Sequence, residues 1–229
     1  EVLNAVDLRP NERMLDVACG PGLAIRLARA RGAEVAGLDA SPRLAAVAKA
    51  RTPDADIRVG DMFDLPWADA AFDVVTSFRG IWGGCEAALA EVVRVCRPGG
   101  VVGLSFWGNA KKMSAYPLLK LFGDVEEHDA DHAKEMAQIS YPGVAEQMMV
   151  DCGLMPGTRW SLAIPLEYPD VDLAARAWAA TGPSYLAIRR LGEDGFLAAA
   201  RGAASELYGP DGGVRFDFEV QFLVGRKPS

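Results

Sequence analysis

The stretch Arg13-Met14-Leu15-Asp16-Val17-Ala18-Cys19-Gly20-Pro21-Gly22 predicts a short buried strand that ends in a glycine-rich turn. Residues 23–31 follow with apolar side chains at helical spacing, and Gly32 is placed to end that helix. A strand, a tight turn and a helix in this order begin a β-α-β unit. The turn glycines let a ligand approach the backbone where the next helix presents free N–H groups. The stretch therefore predicts an α/β fold with a ligand site at this turn.

Strands and helices keep alternating through the first hundred residues. Ser41 and Pro42 mark the start of the second helix, because serine caps a helix N-terminus and proline fits its first turn. The predicted strands are residues 13–18, 34–39, 56–60, 72–77 and 101–106, and the helices are residues 23–31, 41–51 and about 85–95. Almost continuously apolar strands separated by helices indicate a parallel sheet covered on both faces. The sequence thus predicts a doubly wound α/β fold.

The second half of the chain reads differently. Residues 109–140 are polar and helical in composition, and residues 170–208 read as two or three helices. Between them come a predicted helix at 142–152 and a strand at 157–164, and residues 214–224 alternate as a half-exposed antiparallel strand does. We predict one domain over residues 1–229, with a ligand-binding core at 10–107 and a mostly parallel seven-stranded sheet whose last strand is antiparallel. Helical insertions at 109–150 and 166–212 form a lid over one end of the sheet.

Composition narrows the classes of function. The 229 residues contain 24 Lys and Arg against 31 Asp and Glu, a net charge of −7, which disfavours a nucleic-acid substrate. No apolar run reaches the ~18 residues of a membrane span, and nothing at the start indicates secretion. The four cysteines are far apart, which predicts free thiols in a reducing, cytoplasmic setting. The chain begins with Glu1 inside a predicted helix, so we expect residues upstream.

Acidic and polar residues stand where the predicted strands end. Asp39 follows the second strand, Asp61 the third, and Ser77-Phe78 the fourth. Ligands of open parallel sheets bind beyond these carboxyl ends, and a carboxylate after the second strand can accept both ribose hydroxyls of an adenosine ligand. The alternative is that Asp39 is a turn residue ahead of the following helix and that Asp61 is an ordinary polar residue after a strand.

Two common nucleotide-binding patterns are missing. Residues 18–24 read Ala-Cys-Gly-Pro-Gly-Leu-Ala, which does not match the G-x-G-x-x-G turn of dinucleotide-binding proteins. No Gly-Lys-Ser/Thr of a P-loop follows any predicted strand. The sequence therefore predicts an adenosine ligand that carries no phosphate.

Three stretches resemble a known family. Residues 15–22 resemble the first motif of class I S-adenosylmethionine-dependent methyltransferases. Gly60-Asp61-Met62, Leu65-Pro66 and Phe72-Asp73-Val74-Val75 resemble the middle motifs of the UbiE-like, type 11 branch, and residues 91–100 resemble its closing helix and turn. The resemblance covers residues 10–107. It implies a Rossmann-like methyltransferase fold and an enzyme that converts S-adenosyl-L-methionine to S-adenosyl-L-homocysteine.

The resemblance also implies roles for single residues. Gly20 and Gly22 let the backbone approach the methionine part of the cofactor, with Asp16 near its amino group. Asp39 holds the ribose hydroxyls, and Asp61 accepts from the adenine amine. The implied cofactor-binding residues are Asp16, Ala18, Gly20, Gly22, Asp39, Ala40, Asp61, Met62, Ser77 and Phe78. Met62 packs on the ring, Ser77 and Phe78 border the sulfonium, and Ala18 stands where the family often has glycine.

Methyl transfer from a sulfonium is an in-line displacement, so holding donor and acceptor in line contributes most, up to ~7–11 kcal/mol. Aromatic faces also favour the cationic sulfonium. Candidate aromatic walls, which alternatively serve as core or rim packing, are Phe78, Trp82, Phe106 and Trp107. His128 and His132 are the candidate general bases, because histidine commonly takes the proton of a hydroxyl or amine acceptor. Alternatively their acidic segment is a solvated face or a metal site, although no third ligand motif supports a metal and none is predicted.

The methyl acceptor is predicted less sharply. Apolar side chains in the insertions suggest a small, largely apolar organic molecule; these are Met113, Leu118, Leu119, Met136, Met148, Met149, Trp178 and Tyr185. We expect O- or N-methylation in secondary metabolism, by a monomer or homodimer without nucleic-acid or membrane partners. C-methylation of a quinone-like ring is the alternative within the class. Outside it stands a protein that binds S-adenosylmethionine for a cyclisation or as a structural ligand, and the acidic charge counts against an RNA methyltransferase.

Overall fold

A computed structural model describes residues 2–122, 138–181, 184–209 and 212–229, and it contains the predicted alternation of strands and helices. The strands are β1 (Arg13–Val17), β2 (Glu34–Asp39), β3 (Asp56–Val59), β4 (Phe72–Phe78), β5 (Cys96–Trp107), β6 (Met155–Pro156), β7 (Trp160–Tyr168) and β8 (Val214–Arg226). The described helices are α1 (Val2–Ala5), α2 (Leu23–Arg29), α3 (Pro42–Arg51), α4 (Glu86–Val95), α5 (Tyr116–Leu119), α6 (Val144–Asp151), α7 (Val171–Ala179), α8 (Ser184–Leu191) and α9 (Glu193–Ser205).

The sheet has the order β3-β2-β1-β4-β5-β8-β6, and β7 pairs with β8. The pairs among β1 to β5 are parallel, whereas β6 and β8 are antiparallel. The chain moves outward on one side of β1 and then returns to its other side, so the strand order reverses between β1 and β4. The doubly wound fold is confirmed. The eighth strand is the two-residue β6, which is too short to leave a pattern in the sequence.

Burial explains why these segments form a parallel sheet. Four of the five residues of β1 are buried, as are five of the six residues of β2. On α4 the buried residues Ala88, Leu89, Val92 and Val95 lie at helical spacing, and they belong to the same hydrophobic cluster as β4 and β5 residues. Strands buried on both faces have apolar residues at nearly every position, which is the pattern that predicted the fold.

The described residues form two compact units. The first contains residues 2–106, 138–160 and 221–229, and the second contains residues 107–122, 161–181, 184–209 and 212–220. The cofactor-binding core predicted at 10–107 thus lies in the first unit except for Trp107. Of the predicted insertions, 109–122 and the described part of 166–212 belong to the second unit, whereas 138–150 belongs to the first.

Several helix and strand boundaries differ from the predictions; β5, for example, begins at Cys96 and not at residue 101. Between 109 and 122 the chain forms only short helices, namely α5 and two 3-10 turns, because Met113 is extended after the first turn and Pro117 is accommodated only in the first turn of a new helix. The strand expected at 157–164 is β7, which begins and ends later, at Trp160 and Tyr168. β7 alternates between half-buried and exposed residues, so its boundaries depended on pairing with β8 rather than on its own pattern.

Most of the apolar side chains that suggested an apolar acceptor are core residues. Met148 and Met149 pack in the hydrophobic cluster of the first unit. Met113, Leu118 and Trp178 pack in that of the second unit, where the Trp178 indole donates to the Leu118 carbonyl at 3.2 Å. The interpretation of these five side chains as an acceptor surface is therefore wrong, since burial in a core fully accounts for them. Met136 lies outside the described residues.

A half-buried arginine connects several segments of the first unit. The Arg159 side chain is 15% exposed, and its guanidinium forms a two-pronged ion pair with Glu146 of α6. It also donates to the Ser140 carbonyl at 3.2 Å and to Gln221 Oε1 at 2.8 Å, and it lies 5.1 Å from the centre of the Phe106 ring. One side chain thus connects α6 with β5, β8 and the chain before α6.

We expect Arg159→Met to lower the free energy of unfolding by about 2–3 kcal/mol, because it leaves the Glu146 carboxylate and the neighbouring acceptors without their donor. Urea denaturation measures the loss. The matched control is Arg201→Met, which removes an exposed ion pair with Asp172 and is expected to change little. Equal effects of the two substitutions would contradict a special role for Arg159.

Candidate functional site

The turn after β1 leaves the backbone accessible at Gly20. A Cβ at Gly20 would meet no atom within 4 Å, so the backbone there faces open space. Gly22 differs, because its φ is +79° and a Cβ would lie 2.9 Å from the Ala48 Cβ of α3. One glycine therefore leaves the backbone accessible to a ligand, and the other lets α3 pack against the turn.

Asp39 links the turn to the end of β2. Its side chain is 8% exposed, and its Oδ2 accepts from the Gly20 N–H at 2.7 Å while its Oδ1 accepts from the Ser41 N–H at 2.8 Å. Ser41 in turn caps α3 by accepting from the Leu44 N–H, as predicted. The turn interpretation of Asp39 is thus confirmed. A carboxylate has about four acceptor positions, so two remain for a ligand, and the two interpretations are compatible.

Asp16 is a buried carboxyl group at the carboxyl end of β1. It is 2% exposed and accepts a 2.7 Å hydrogen bond from the Thr76 hydroxyl, its register partner on β4. The pKa of Asp16 is raised to about 7, chiefly by burial and in smaller part by the nearby Asp39, and the Thr76 bond opposes this rise. The same burial raises the pKa of the Cys19 thiol to about 12. Asp16 can therefore exchange a proton near neutral pH, and Cys19 stays a neutral thiol.

Asp61 follows β3 at the same edge of the sheet. The Gly60 N–H donates to the Asp39 carbonyl at 3.2 Å, which places the start of this loop beside the end of β2. Asp61 is exposed, and its Oδ1 accepts from the Phe63 N–H at 3.0 Å. Met62 packs against the hydrophobic cluster of the first unit. Asp16, Asp39 and Asp61 thus lie at or just after the carboxyl ends of three neighbouring strands, β1, β2 and β3.

The end of β4 contributes a polar atom without a protein partner. The Ser77 hydroxyl is fully buried and makes no hydrogen bond within the described part of the chain. A Cβ on Gly80 would lie 2.4 Å from the Ala18 Cβ and 2.8 Å from Ser77 Oγ, so only glycine lets this loop approach the turn after β1. The open backbone at Gly20 and the free acceptor positions on Asp39 together fit a polar ligand such as the predicted adenosine cofactor.

Some predicted site residues are placed differently. Phe106 is 2% exposed and belongs to the core, so the core interpretation holds and it is not a free aromatic wall. Trp107 is 45% exposed and its ring lies 5.3 Å from that of Phe218. Phe78 and Trp82 are half-buried, and Ala40 is exposed at the site edge. His128 and His132 lie outside the described residues.

Two residues of this edge, Thr76 and Gly80, could not be recognised from the sequence. Thr76 lies within an apolar strand, and its only signal is that it is the polar residue in register with Asp16. Gly80 follows Ser77-Phe78, and nothing local distinguishes it from a loop glycine. Both matter because they face the turn after β1 across the sheet, which no pattern along the chain records.

A cavity of about 480 Å³ lies at the opposite edge of the same sheet. Its lining includes Arg13 and Glu34 at the starts of β1 and β2, together with Trp67 and Phe72. These positions are at the amino ends of the strands, whereas Asp16 and Asp39 are at the carboxyl ends. The cavity is therefore separate from the candidate cofactor site.

Two features, a metal-binding cluster and a helix able to span a membrane, are absent from the described part of the chain. No group of three or more His, Cys, Asp or Glu side chains lies close enough there to hold a metal ion. None of the helices described there combines the length and the hydropathy that crossing a bilayer requires.

Ala18 is a strained position, because its φ of +56° lies in the left-handed region that disfavours a Cβ. We expect Ala18→Gly to raise the free energy of unfolding by about 0.5–1 kcal/mol, measured by urea denaturation. The control is Ala46→Gly in the middle of α3, on its exposed side, where glycine is expected to lower stability by about 1 kcal/mol. A loss of stability at both positions would contradict the assigned strain.

Comparisons with known proteins show which family the chain resembles. A family model described as a methyltransferase domain matches residues 15–104. A malonyl-[acyl-carrier protein] O-methyltransferase of Serratia marcescens is 30% identical over 219 residues, which are 94% of this chain and 80% of that protein. A demethylmenaquinone methyltransferase of Renibacterium salmoninarum is 43% identical over 101 residues, which are 43% of this chain and 43% of that protein. The latter match therefore spans less than half of the relative.

The crystal structure of the YcgJ protein of Bacillus subtilis has the same fold. Its TM-score is 0.67 at 18% identity, and the match covers 99% of this chain and 96% of that one. The sheet order, the glycine-rich turn and the carboxylates at its carboxyl edge agree with the family match and with a relative that is similar over almost the whole chain. The chain therefore belongs to the class I S-adenosylmethionine-dependent methyltransferases and is an enzyme of that family, with S-adenosylmethionine as its methyl donor.

Proposed function

We propose that the enzyme transfers a methyl group to an oxygen atom of a small organic molecule. The observation that carries this proposal is how much of this chain each relative matches. Similarity to the malonyl-[acyl-carrier protein] O-methyltransferase extends over 94% of the chain and so includes the second unit. Similarity to the demethylmenaquinone methyltransferase covers only 43% of the chain. Insertions on a fixed scaffold decide the substrate in such folds, so the relative that also matches the insertions is the better guide.

We propose that the cofactor lies along the carboxyl edge of the first unit. Bound S-adenosylmethionine supplies a methyl group activated by a positively charged sulfur. The open backbone at Gly20 receives the methionine part, with Asp16 near its amino group, and the free acceptor positions of Asp39 receive the ribose hydroxyls. Asp61 accepts from the adenine amine. The support is that these groups lie at the carboxyl ends of three adjacent strands, and that Gly20, Asp39 and Asp61 still have room or acceptor capacity for a ligand.

The end of β4 is the proposed place of the sulfonium. The half-buried Phe78 offers an aromatic face, which favours a cation by roughly 0.5–2 kcal/mol. Ser77 lies beside Phe78 at the same strand end, with its hydroxyl buried. We propose His128 or His132 as the base that takes the acceptor's proton. An oxygen acceptor that is already ionised, such as a carboxylate, needs no base at all.

Product analysis tests the proposal directly. The enzyme is incubated with S-adenosylmethionine carrying an isotopically labelled methyl group and with a carboxylic acid, a malonyl thioester, a phenol, an amine and a demethylated naphthoquinone. The expected result is S-adenosylhomocysteine together with one O-methylated product, whose labelled methyl signal identifies the atom. An N-methylated amine as the sole product would contradict oxygen selectivity. The alanine variants of His128 and His132 in the same assay test the base.

Carbon methylation of a quinone-like ring is the second candidate. It is favoured by the demethylmenaquinone methyltransferase, which is the more similar relative within the aligned part, at 43% identity against 30%. A methylated naphthoquinone in the assay above supports this candidate. A rearranged acceptor that forms without S-adenosylhomocysteine supports the third possibility, a cyclisation that uses the cofactor as a structural ligand.

A further inference from the structure

The loop that carries Asp61 is tied to α4 at its far end. Residues 60–71 connect β3 to β4, with Asp61 and Met62 at the start. Leu65 lies inside the hydrophobic cluster and is 2% exposed. Its N–H donates to Glu91 Oε2 at 2.8 Å, and its carbonyl accepts from Arg94 Nη2 at 2.9 Å. Two charged residues of one helix thus hold both polar groups of the Leu65 backbone.

Arg94 makes every hydrogen bond that its guanidinium can make. Its Nη1 donates to the Trp67 carbonyl and to Asp69 Oδ1, both at 2.8 Å. Its Nε and Nη2 donate to the two oxygens of Glu91 at 2.7 Å each, and Nη2 also donates to Leu65. A guanidinium has five N–H groups, so all five have acceptors. Hydrogen bonds to Glu91 and Asp69 raise the pKa of Arg94, and the bond from Arg94 is the largest cause of a lowered pKa at Glu91.

The tie reaches Asp61 through a short, closed turn. The Asp64 N–H donates to the Asp61 carbonyl at 3.2 Å, and the Phe63 N–H donates to the Asp61 side chain at 3.0 Å. Residues 61–64 therefore form one hydrogen-bonded turn. This turn lies between Gly60, which is hydrogen-bonded to the end of β2, and Leu65, which is hydrogen-bonded to α4. Fixing Leu65 fixes where the exposed Asp61 carboxylate stands.

We infer that Glu91 and Arg94 are positioning residues for the adenine end of the cofactor. They contact the loop rather than the ligand, and they hold the Asp61 carboxylate at the place where it accepts from the adenine amine. The inference rests on the proposed role of Asp61. Arginine suits this task because its planar fork bonds several acceptors at fixed angles, which lysine does not do.

Discrimination between two ligands that differ only in the purine base distinguishes a positioning role of Arg94 from a role in protein stability alone. The purine-riboside analogue of S-adenosylhomocysteine has a hydrogen in place of the adenine amine and keeps N1 as an acceptor, so its base has no donor at that position for Asp61. Titration calorimetry gives the dissociation constant of each ligand, and their ratio measures recognition of the amine. We expect the wild-type enzyme to bind the purine analogue about 10- to 100-fold more weakly, as the loss of a hydrogen bond to a charged group implies.

Arg94→Met is expected to bring this ratio close to one, and Arg94→Lys to restore part of it. The matched control is Arg97→Met. Arg97 forms an ion pair with Asp73 at 2.6 Å and makes no described bond to residues 61–70. The control is expected to keep the wild-type ratio even though it removes the same charge near the same helix end. Thermal unfolding of each variant shows that it is folded at the temperature of the titration.

Asp61→Ala separates the two ideas. If this variant keeps the wild-type ratio, the proposed adenine role of Asp61 is wrong. If Asp61→Ala abolishes the discrimination while Arg94→Met retains it in a folded protein, the adenine role stands and the positioning inference is overturned. Loss of the ratio in Arg97→Met as well would also overturn the inference, because any weakened ion pair would then have the same effect.

Discussion

Replacement of Asp39 by alanine is expected to raise the dissociation constant of S-adenosylhomocysteine by about 100- to 10,000-fold. Two ribose hydroxyls bound to one carboxylate are worth about 1.5–3 kcal/mol each, and each 1.4 kcal/mol is tenfold in affinity. Titration calorimetry measures the change. Asp54→Ala is the matched control, because it removes one carboxylate at the opposite edge of the sheet, where Asp54 pairs with Arg29.

The structure complicates this substitution, because Asp39 also accepts from the Gly20 and Ser41 N–H groups. Alanine therefore disturbs the turn as well as the ligand contact. A cycle with the 2′-deoxyribose form of the ligand separates the two effects. If Asp39 binds the ribose, removal of the 2′-hydroxyl weakens binding to the wild type much more than binding to the variant. Equal weakening in both proteins would show that Asp39 acts only on the turn.

Asp16→Asn is expected to stabilise the protein and to impair cofactor binding. The pKa of Asp16 is raised from 3.8 to about 7, so the folded state holds its proton more tightly than the unfolded state does. The stabilising contribution of the protonated group is complete below pH 4 and is lost as the pH rises through about 7. Over this interval the loss amounts to about 4 kcal/mol. Asparagine does not ionise, and its carbonyl can still accept from the Thr76 hydroxyl.

Urea denaturation at several pH values checks this prediction. The difference in unfolding free energy between Asp16→Asn and the wild type is expected to be small near pH 4 and to grow to about 4 kcal/mol at pH 8. The same variant is expected to bind S-adenosylhomocysteine more weakly, since the ligand amino group prefers an ionised carboxylate. In the wild type, affinity is expected to rise with pH through about 7. A variant that is less stable than the wild type at pH 8 would contradict the assignment.

If Asp16→Asn is more stable than the wild type but binds the cofactor more weakly, the buried Asp16 carboxyl group lowers the stability of the fold and serves ligand binding. A buried carboxyl group that is half ionised at neutral pH is unfavourable for stability alone, because burial disfavours its charge. Thr76 relieves this only in part, with one hydrogen bond. Asp16 lies at a strand end where a ligand can pair with it, and groups that lower stability in this way cluster at functional sites.

The strand alternation, the turn at 18–22 and the three carboxylates at the strand ends were predictable from the sequence. These features are local: apolar runs set the strands, and the chain position of Asp16, Asp39 and Asp61 follows from where each run stops. In a parallel sheet all such ends lie at one edge, so the shared edge also follows from the pattern. Their binding roles stay a prediction until the ligand titrations are done.

Contacts between distant segments could not be predicted. Thr76 bonds Asp16 from 60 residues away, and Arg94 bonds Leu65 from 29 residues away. Sequence patterns report the spacing of residues along the chain, whereas these pairs depend on strand register and on how a helix packs. The same reason explains Met149 and Trp178, whose apolar character fits a pocket or a core equally well.

The class of fold, the family and the edge of the sheet that holds the candidate cofactor site could thus be derived from the order of residues alone. That Asp39 also supports the glycine turn, that Asp16 is buried beside Thr76 and that α4 holds the Asp61 loop became apparent only in the folded chain. The physical reason is that hydrophobic periodicity is written along the chain, whereas hydrogen-bond partners and burial arise only when elements far apart in sequence pack against one another.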